Sequence, residues 1–233
     1  MNPDIAAVLA GEKRWCVVQG DCREVLPTIP DGAVDAVVTD IPYGEVNRPS
    51  GGIRNFDKGN ADIETFTPGE FLALVLPLVT GSVYVFCGTE QVSELRAGLV
   101  AAGMSTRFCI WHKPDAGPVN GQHLWLSSVE CCVFGKKPGA TFNYFCKSSV
   151  WHYNIARNTA HPTGKPVDLM KYLVAASSNP GNTILDPCVG SGTTGVAAVE
   201  LGRRFIGVEI SEEYCRIARE RIDTAERQGR LAL

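Results

Sequence analysis

The fold is decided by the stretch Ile184-Leu185-Asp186-Pro187-Cys188-Val189-Gly190-Ser191-Gly192-Thr193-Thr194-Gly195. Its apolar start predicts a strand, and a loop with three glycines then leads into a helix that runs to Glu200. The spacing G-x-G-x-x-G in this context is typical of a nucleotide-binding loop, because glycine lets the backbone approach a ligand closely. Residues 205–208 predict the next strand, and Glu209 at its end is placed to bind ribose hydroxyls. Taken alone, this pattern fits any cofactor that contains a nucleoside.

Two features of this region argue against a nicotinamide dinucleotide. Asp186 lies in the turn itself, where a carboxylate repels a pyrophosphate and attracts a cationic amino-acid tail. After Glu209 the chain is long enough for one helix and leaves no room for the remaining strands of a sheet. We therefore expect those strands to come from the N-terminal part, which makes the order circularly permuted. S-adenosylmethionine, with its cationic tail, sulfonium and adenosine, fits this site.

Strands and helices alternate along the rest of the chain, which predicts an α/β fold. We expect an open, mostly parallel sheet, covered by helices on both faces, with an antiparallel edge. The predicted strands are residues 15–18, 33–39, 82–87, 107–112, 128–134, 183–185 and 205–208. The predicted helices are residues 23–26, 68–79 and 90–102, and those that begin at Pro166, after the glycine loop and at Ser211. Residues 135–160 are predicted to be irregular.

A second motif, Asp40-Ile41-Pro42-Tyr43-Gly44, follows the apolar run of residues 36–39. The carboxylate of Asp40 and the backbone carbonyl of Ile41 can accept two hydrogen bonds from an exocyclic amine. Tyr43 offers a ring face for stacking, and Pro42 fixes the turn. Together with the cofactor loop, this pocket predicts an enzyme that transfers a methyl group to an amino nitrogen of a base. Without that loop, the same residues would fit a strand that ends in a tight turn.

Composition sets limits on the class of protein. With 233 residues, 45% of them hydrophobic and 20% charged, we expect one globular domain over residues 1–233. The net charge of −3 gives no general attraction to nucleic acid, so DNA binding requires a local basic face. The nine cysteines show no C-x-x-C pair and are expected to be reduced structural thiols rather than metal ligands. We see no signal peptide, and the apolar run 71–79 is too short to span a bilayer, so a cytoplasmic protein is expected.

Four motifs in this order resemble the DNA amino-methyltransferases, in the group whose catalytic motif precedes its cofactor motif. Besides Asp40-Ile41-Pro42-Tyr43 they are Gly20-Asp21, the segment His161-Pro162-Thr163-Gly164-Lys165-Pro166, and the cofactor loop with Glu209 after it. The resemblance covers residues 15–47 and 161–222 and implies a permuted, Rossmann-like methyltransferase fold. Ile41 departs from the family, which has proline at that position, but it keeps the backbone carbonyl that the reaction uses.

The resemblance also implies roles in cofactor binding. Asp21 would contact the adenine, Glu209 the ribose, residues 186–193 the methionine moiety, and Thr163 and Lys165 its carboxylate. Asp21 could equally cap the following helix, and a lone lysine before a helix is more often solvated. The expected cofactor-binding set is Asp21, Cys22, Asp40, Thr163, Lys165, Asp186, Pro187, Cys188, Gly190, Ser191, Gly192, Thr193 and Glu209.

The resemblance implies direct in-line methyl transfer. Hydrogen bonds accepted at Asp40 and Ile41 would aim the nitrogen lone pair at the methyl group, so positioning and electrostatics supply most of the rate. Tyr43 would stack on a base flipped out of the duplex and could face the sulfonium. The expected catalytic set is Asp40, Ile41, Pro42 and Tyr43.

The sequence indicates the target base and the macromolecular partners less directly than it indicates the cofactor. In the family, Asp first and Tyr fourth in the catalytic motif are commoner among N6-adenine enzymes, and N4-cytosine is the alternative. Loop 44–64 and segment 112–160 are candidate contacts to double-stranded DNA, through Arg48, Arg54, Lys58, Lys113, Lys136, Lys147 and Arg157. A homodimer and a bacterial or phage origin are compatible with the chain, whereas a restriction endonuclease partner has no signature in it. Methylation of RNA or of a protein glutamine, a non-catalytic cofactor-binding regulator and a nicotinamide oxidoreductase are the competing functions.

Overall fold

A computed structural model describes residues 1–42, 66–117, 125–156 and 164–231. Its strands form one eight-stranded sheet in the order β1-β8-β7-β2-β3-β5-β4-β6. The strands are β1 (Trp15–Gln19), β2 (Val34–Asp40), β3 (Val79–Cys87), β4 (Ser105–His112), β5 (Val129–Lys136), β6 (Val150–His152), β7 (Thr183–Asp186) and β8 (Arg204–Glu209). β5 runs antiparallel to both of its neighbours, and the other pairings are parallel. The expected mostly parallel sheet with an antiparallel part is confirmed.

Helices cover both faces of the sheet. They are α1 (Pro3–Ala10), α2 (Cys22–Val25), α3 (Pro68–Val75), α4 (Val92–Ala101), α5 (Val167–Ser177), α6 (Thr193–Glu200) and α7 (Glu212–Leu231), with short 3₁₀ turns at Leu26–Thr28 and Thr89–Gln91. One buried cluster packs helices α1, α2, α3 and α4 against one face of the sheet. A second cluster packs helices α5, α6 and α7 against the opposite face. Among the described residues, no helix is both long and apolar enough to cross a membrane.

The permuted chain order is visible in the sheet. β7, which carries the glycine loop, lies between β8 and β2 near the middle of the sheet, although it is seventh in the sequence. From β7 the chain continues through α6 to β8 on one side, whereas from β2 it continues through α3 to β3 on the other. The carboxyl ends of β7 and β2 therefore border the crevice where open α/β sheets bind ligands.

Two predicted elements need correction. The helix from Pro68 ends at Val75 rather than Val79, and Val79 already begins β3. Pro77 cannot donate the N–H that a continuing helix needs, and the residues after it are rich in β-branched side chains, which favour a strand. Residues 135–160 are not wholly irregular, because Val150–His152 form the edge strand β6 beside β4. A three-residue strand is too short for its alternation to show in the sequence.

Candidate active site

Acidic side chains gather where the parallel strands end. Glu209, Asp186 and Asp40 are the last residues of three neighbouring strands, β8, β7 and β2. The hydroxyl of Thr39 donates to Asp186 Oδ1 at 2.7 Å, and this bond joins the ends of β2 and β7. The structure thus brings the predicted cofactor loop and the predicted catalytic motif to one crevice.

Asp186 is almost completely buried at this junction. Its Oδ1 also accepts the backbone N–H of Cys188 at 3.1 Å, which closes the turn after β7. Burial raises the pKa of this carboxyl from an ordinary value of 3.8 to about 6, although the hydrogen bond from Thr39 opposes the shift. A buried acid with a raised pKa is matched to a cationic ligand rather than to an anionic one.

The three glycines of the cofactor loop do different work. A Cβ at Gly190 (φ +51°) would meet no described atom within 4 Å, so this residue faces open space. A Cβ at Gly192 would lie 2.9 Å from Ala218, and one at Gly195 would lie 2.4 Å from a methyl carbon of Ile222. Gly192 and Gly195 therefore permit the packing of α7 against the loop and α6, and Gly190 is the glycine placed to let a ligand approach.

Ser191 and Thr193 face away from the crevice. The guanidinium of Arg221 in α7 donates to the carbonyl and the hydroxyl of Ser191 at 2.6 and 2.7 Å, and lies 3.4 Å from the Thr193 hydroxyl. Both residues are buried. What this part of the loop offers a ligand is the first turn of α6, whose backbone N–H groups have no acceptor within the helix and suit a carboxylate.

Glu209 is held by two backbone groups of its own neighbourhood. Its carboxylate accepts the N–H of Gly190 at 2.8 Å and the N–H of Ser211 at 2.9 Å. The residue is buried beside the end of β1, where Gln19 pairs with it. The carboxylate is therefore fixed next to the open space at Gly190, where a ribose would lie.

Asp21 caps α2, which was the alternative interpretation of this residue. It accepts the backbone N–H of Arg23 at 2.8 Å and forms an ion pair with the Arg23 guanidinium, whose hydrogen bonds lower the pKa of Asp21. A contact to adenine stays a prediction. The thiols of Cys22 and Cys188 are hydrogen-bonded across the site, which lowers the pKa of Cys22 and raises that of Cys188.

The catalytic loop is anchored by its backbone. The N–H of Ile41 donates to the carbonyl of Phe86 at 3.1 Å, which extends the pairing of β2 with β3 by one residue, and the Ile41 side chain is 2% exposed. The side-chain amide of Gln91 donates to the carbonyl of Pro42 at 3.1 Å. Ile41 thus adds a hydrogen bond and core packing that a proline lacks. Tyr43 lies outside the described residues.

Lys165 occupies an unexpected position. Its ammonium contacts Asp40 Oδ2 and lies 3.0 Å from Glu130 Oε2, and its side chain is 8% exposed. Burial alone would lower the pKa of Lys165, but the carboxylates of Asp40 and Glu130 outweigh it and raise the pKa. The lysine is therefore a buried cation beside the predicted catalytic acid.

The predicted DNA-binding cations are spread over the molecule. Lys113 turns inward, with its ammonium 3.3 Å from Glu130 and over the ring of Trp111. Lys136 is the last residue of β5 and pairs with Ser82, at the end of the strands that is away from the crevice. Lys147 lines a cavity of about 390 Å³ at that end. The structure does not bring Lys136 and Lys147 to the crevice. Arg48, Arg54, Lys58, Arg157 and the predicted cofactor residue Thr163 lie outside the described residues.

Sequence reasoning missed two residues of this site. Glu130 is a single acid within the apolar strand β5, and Gln91 is a buried amide that also accepts the N–H of Gly88. An isolated acid in a buried strand predicts a partner of opposite charge, which was the available signal for Glu130. Gln91 has no comparable signal, because it lies in an ordinary polar turn before α4.

The residues of the crevice fit S-adenosylmethionine. Asp186 suits the cationic amino group of the cofactor, and the first turn of α6 suits its carboxylate. Glu209 suits the ribose hydroxyls, and Gly190 leaves space beside Glu209. With a glycine loop at the switch point of a permuted sheet, this arrangement defines a Rossmann-like methyltransferase.

Comparisons with known proteins give the family. Residues 123–220 match the family model of the N6/N4 amino-methyltransferases, described as DNA methylase. YubD of Escherichia coli strain K12, named as a methylase, is 31% identical over an alignment of 216 positions, gaps included, that covers 90% of this chain and 91% of YubD. The type II methyltransferase M2.DpnII of Streptococcus pneumoniae is 29% identical over an alignment of 243 positions, gaps included, that covers 91% of each chain.

Solved structures agree with this result. The M1.HpyAVI–SAM complex superposes with a TM-score of 0.69 at 27% identity, over 89% of this chain and 99% of that chain. The cytosine-N4-specific PvuII DNA methyltransferase superposes with a TM-score of 0.67 at 16% identity, over 93% of both chains, which is a likeness of fold. The chain belongs to the N6-adenine/N4-cytosine DNA methylase family. It is a DNA methyltransferase whose cofactor is S-adenosylmethionine.

Proposed function

We propose that this enzyme methylates the exocyclic N6 of an adenine that is flipped out of duplex DNA. The observation that supports the proposal is the position of Asp40, at the end of β2 beside β7, so that a base amino group at Asp40 would lie next to the cofactor loop. Asp40 with Tyr43 is the combination commoner among the adenine enzymes of the family, which favours adenine over cytosine.

The cofactor roles follow from the positions of the side chains and backbone groups. Asp186 would hold the amino group of the methionine moiety, and the first turn of α6 its carboxylate. Glu209 would accept hydrogen bonds from the ribose, and Asp21 with Cys22 would lie at the adenine. When bound, S-adenosylmethionine supplies an electrophilic methyl group on a sulfonium sulfur.

The catalytic motif would orient the target amino group. The carboxylate of Asp40 and the carbonyl of Ile41 accept its two N–H bonds, which favours a pyramidal nitrogen with its lone pair directed at the methyl carbon. The bond from Ile41 N–H to Phe86 and the bond from Gln91 to Pro42 hold this loop in place. Tyr43 would stack on the flipped base.

DNA would approach at the same edge of the sheet. The described residues that precede segments 43–65, 118–124 and 157–163 follow β2, β4 and β6, at the end of the sheet that carries the crevice. We infer that Arg48, Arg54, Lys58 and Arg157 contact the duplex and that two copies of the chain act together on it. Sedimentation of the protein on a DNA fragment tests the second inference, and a monomer on DNA would remove it.

The proposal is tested with methyl-labelled S-adenosylmethionine and unmethylated duplex DNA, followed by digestion and nucleoside mass spectrometry. Labelled N6-methyladenine is the expected product. N4-methylcytosine would keep the mechanism and overturn the assignment of the base.

The same assay tests the catalytic role of Asp40. We expect Asp40→Ala to lower the rate of methylation by about 10³-fold or more and to leave cofactor affinity within a few-fold, because the carboxylate acts on the base. Asp4→Ala, which removes an exposed carboxylate on α1, is the control and should leave the rate unchanged. Normal turnover by Asp40→Ala would end the mechanism.

A further inference from the structure

Four charged side chains of alternating sign form a row behind the target site. Asp40 contacts Lys165, Lys165 lies 3.0 Å from Glu130, and Glu130 lies 3.3 Å from Lys113. They come from the ends of β2, β5 and β4 and from the segment before α5, so the fold assembles them from four parts of the sequence. We call this row the charge chain.

Lys165 is the buried member of the charge chain. Its ammonium lies 5.1 Å from the centre of the Phe86 ring and 6.0 Å from that of Trp111, so aromatic walls separate it from solvent. A buried ion pair contributes little to stability compared with apolar residues of similar size. Stability alone therefore does not account for a lysine at this position.

A second acid lies close to Asp40. Asp186 at the end of β7 interacts electrostatically with it, and a neighbouring carboxylate disfavours the ionised form of Asp40. The nearby thiols of Cys87 and Cys132 are neutral, because burial raises their pKa. Lys165 is the cation in contact with Asp40 in this set, and Glu130 fixes the ammonium from the other side. Without Lys165, the carboxyl of Asp40 would take up a proton more readily.

We propose that Lys165, held by Glu130, is a positioning residue that keeps Asp40 ionised and orients its carboxylate for the target amino group. The inference rests on the proposed function, because it assigns the base to Asp40. Asp40 then acts as a hydrogen-bond acceptor and does not retain the proton of the amino group.

The bond changes balance in this scheme. The lone pair of the amino nitrogen forms the bond to the methyl carbon as the bond from that carbon to sulfur breaks, and the electron pair of the broken bond goes to sulfur. The nitrogen then carries the ring carbon, the methyl group and two protons with a positive charge, and it releases one of these protons to water. Protonation of Asp40 in place of water would weaken the ion pair between Asp40 and Lys165.

This role differs from a contact between Lys165 and the cofactor carboxylate. A cofactor contact predicts a loss of S-adenosylmethionine affinity when the lysine is removed. The positioning role predicts unchanged affinity, slower methyl transfer and a change in the pH dependence of transfer. The two roles therefore differ in binding, in rate and in the pH profile.

The test uses Lys165→Met, which replaces the ammonium by an apolar side chain of similar length that suits the aromatic walls. We expect cofactor affinity by calorimetry to stay within about 3-fold, and the single-turnover rate on unmethylated DNA to fall by roughly 10²-fold, because the acceptor is misplaced. The acidic limb of the rate profile should move to higher pH, because an adjacent cation favours the ionised form of a carboxyl and its removal makes protonation easier.

Two further variants keep the test decisive. Lys165→Met with Glu130→Gln removes both charges, so no unpaired buried carboxylate can unfold the protein, and the same shift of the acidic limb is expected. Lys165→Arg keeps the charge and should return the limb toward its normal position. Lys171→Met, which breaks an ion pair with Glu200 between α5 and α6, is the matched control and should change none of these quantities.

The outcomes separate this inference from the proposed function. A loss of cofactor affinity above 10-fold with an unchanged transfer rate would assign Lys165 to the cofactor and overturn the positioning role. An unchanged pH profile in Lys165→Met, both alone and combined with Glu130→Gln, would also overturn the positioning role. Full activity of Asp40→Ala, in contrast, would remove the catalytic assignment itself, whatever the lysine variants show.

Discussion

The cofactor end and the catalytic end of the crevice are held together differently. At the cofactor end, the acids accept backbone N–H groups. Glu209 accepts those of Gly190 and Ser211, and Asp21 accepts that of Arg23. At the catalytic end, Asp40 is held by the side chain of Lys165, which is 125 positions away in the sequence. The acids of the cofactor end are held by main-chain N–H groups, whereas Asp40 at the catalytic end is held by a buried ammonium.

The difference matches the two tasks. Backbone donors in a glycine loop have fixed positions that side-chain rotamers cannot change, so they suit a ligand that must be bound in one way. A buried cation beside a reacting carboxyl favours the ionised form of that carboxyl, at the risk that one substitution leaves a charge unpaired. We therefore expect substitutions at the cofactor end to change affinity and substitutions at the catalytic end to change rate or stability.

The largest effect is expected from Gly190→Leu. A side chain at this residue would fill the open space beside Glu209 that the cofactor needs, so affinity for S-adenosylmethionine should fall by about 10³-fold, or ~4 kcal/mol. Calorimetry measures the affinity, and thermal unfolding reports whether the variant is folded.

Gly181→Leu is the matched control for Gly190→Leu. Gly181 also has a positive φ (+85°) and open space around the added side chain. It precedes β7 and therefore lies at the end of that strand away from the crevice. Both variants carry a similar backbone strain of about 1–2 kcal/mol. If the two bind the cofactor equally well, Gly190 does not face the ligand and the comparison of the two ends fails.

The same comparison explains what could be predicted from the sequence. The glycine loop, Glu209 and the strand before Asp40 are short local patterns, and they gave the class of fold and the location of both motifs. The contact from Glu130 through Lys165 to Asp40 could not be predicted, because it depends on how β5 and the segment before α5 meet in three dimensions. Local patterns also cannot show that Ser191 and Thr193 turn toward Arg221, which lies 30 and 28 positions further along the chain.

The next largest effect is expected from Ile41→Pro, which restores the family motif at the catalytic end. The variant loses the N–H that donates to Phe86 and part of a buried side chain, so unfolding should become easier by roughly 2–4 kcal/mol. The carbonyl of residue 41 is kept, and the transfer rate should stay within a few-fold.

Denaturant unfolding and single-turnover rates measure the two quantities. Ile41→Val is the control, because it shortens the side chain by one methyl group, keeps the N–H and should cost about 1 kcal/mol. A proline variant as stable as the valine variant would show that the bond to Phe86 contributes nothing.

The smallest effect is expected at Asp186, where the two ends meet through Thr39. Because the pKa of Asp186 is raised from 3.8 to about 6, the folded protein holds the proton more tightly than the unfolded chain. The stability that this proton contributes is fully present below pH 4 and is lost as the pH rises to about 6.

Asp186→Asn removes this pH dependence, because its amide oxygen can still accept from Thr39 and Cys188 without a charge. Relative to the natural protein, the variant should gain roughly 1–3 kcal/mol of unfolding free energy between pH 4 and pH 6.5, measured by urea unfolding across that range. It should also bind S-adenosylmethionine about 10-fold more weakly, because the cationic tail loses its carboxylate. A stability difference that is constant with pH would show that Asp186 ionises normally. A gain in stability together with a loss of affinity would instead show that the buried charge of Asp186 serves ligand binding and lowers stability. Asp186 is also the residue through which the cofactor end and the catalytic end of the crevice are joined, by its hydrogen bond from Thr39.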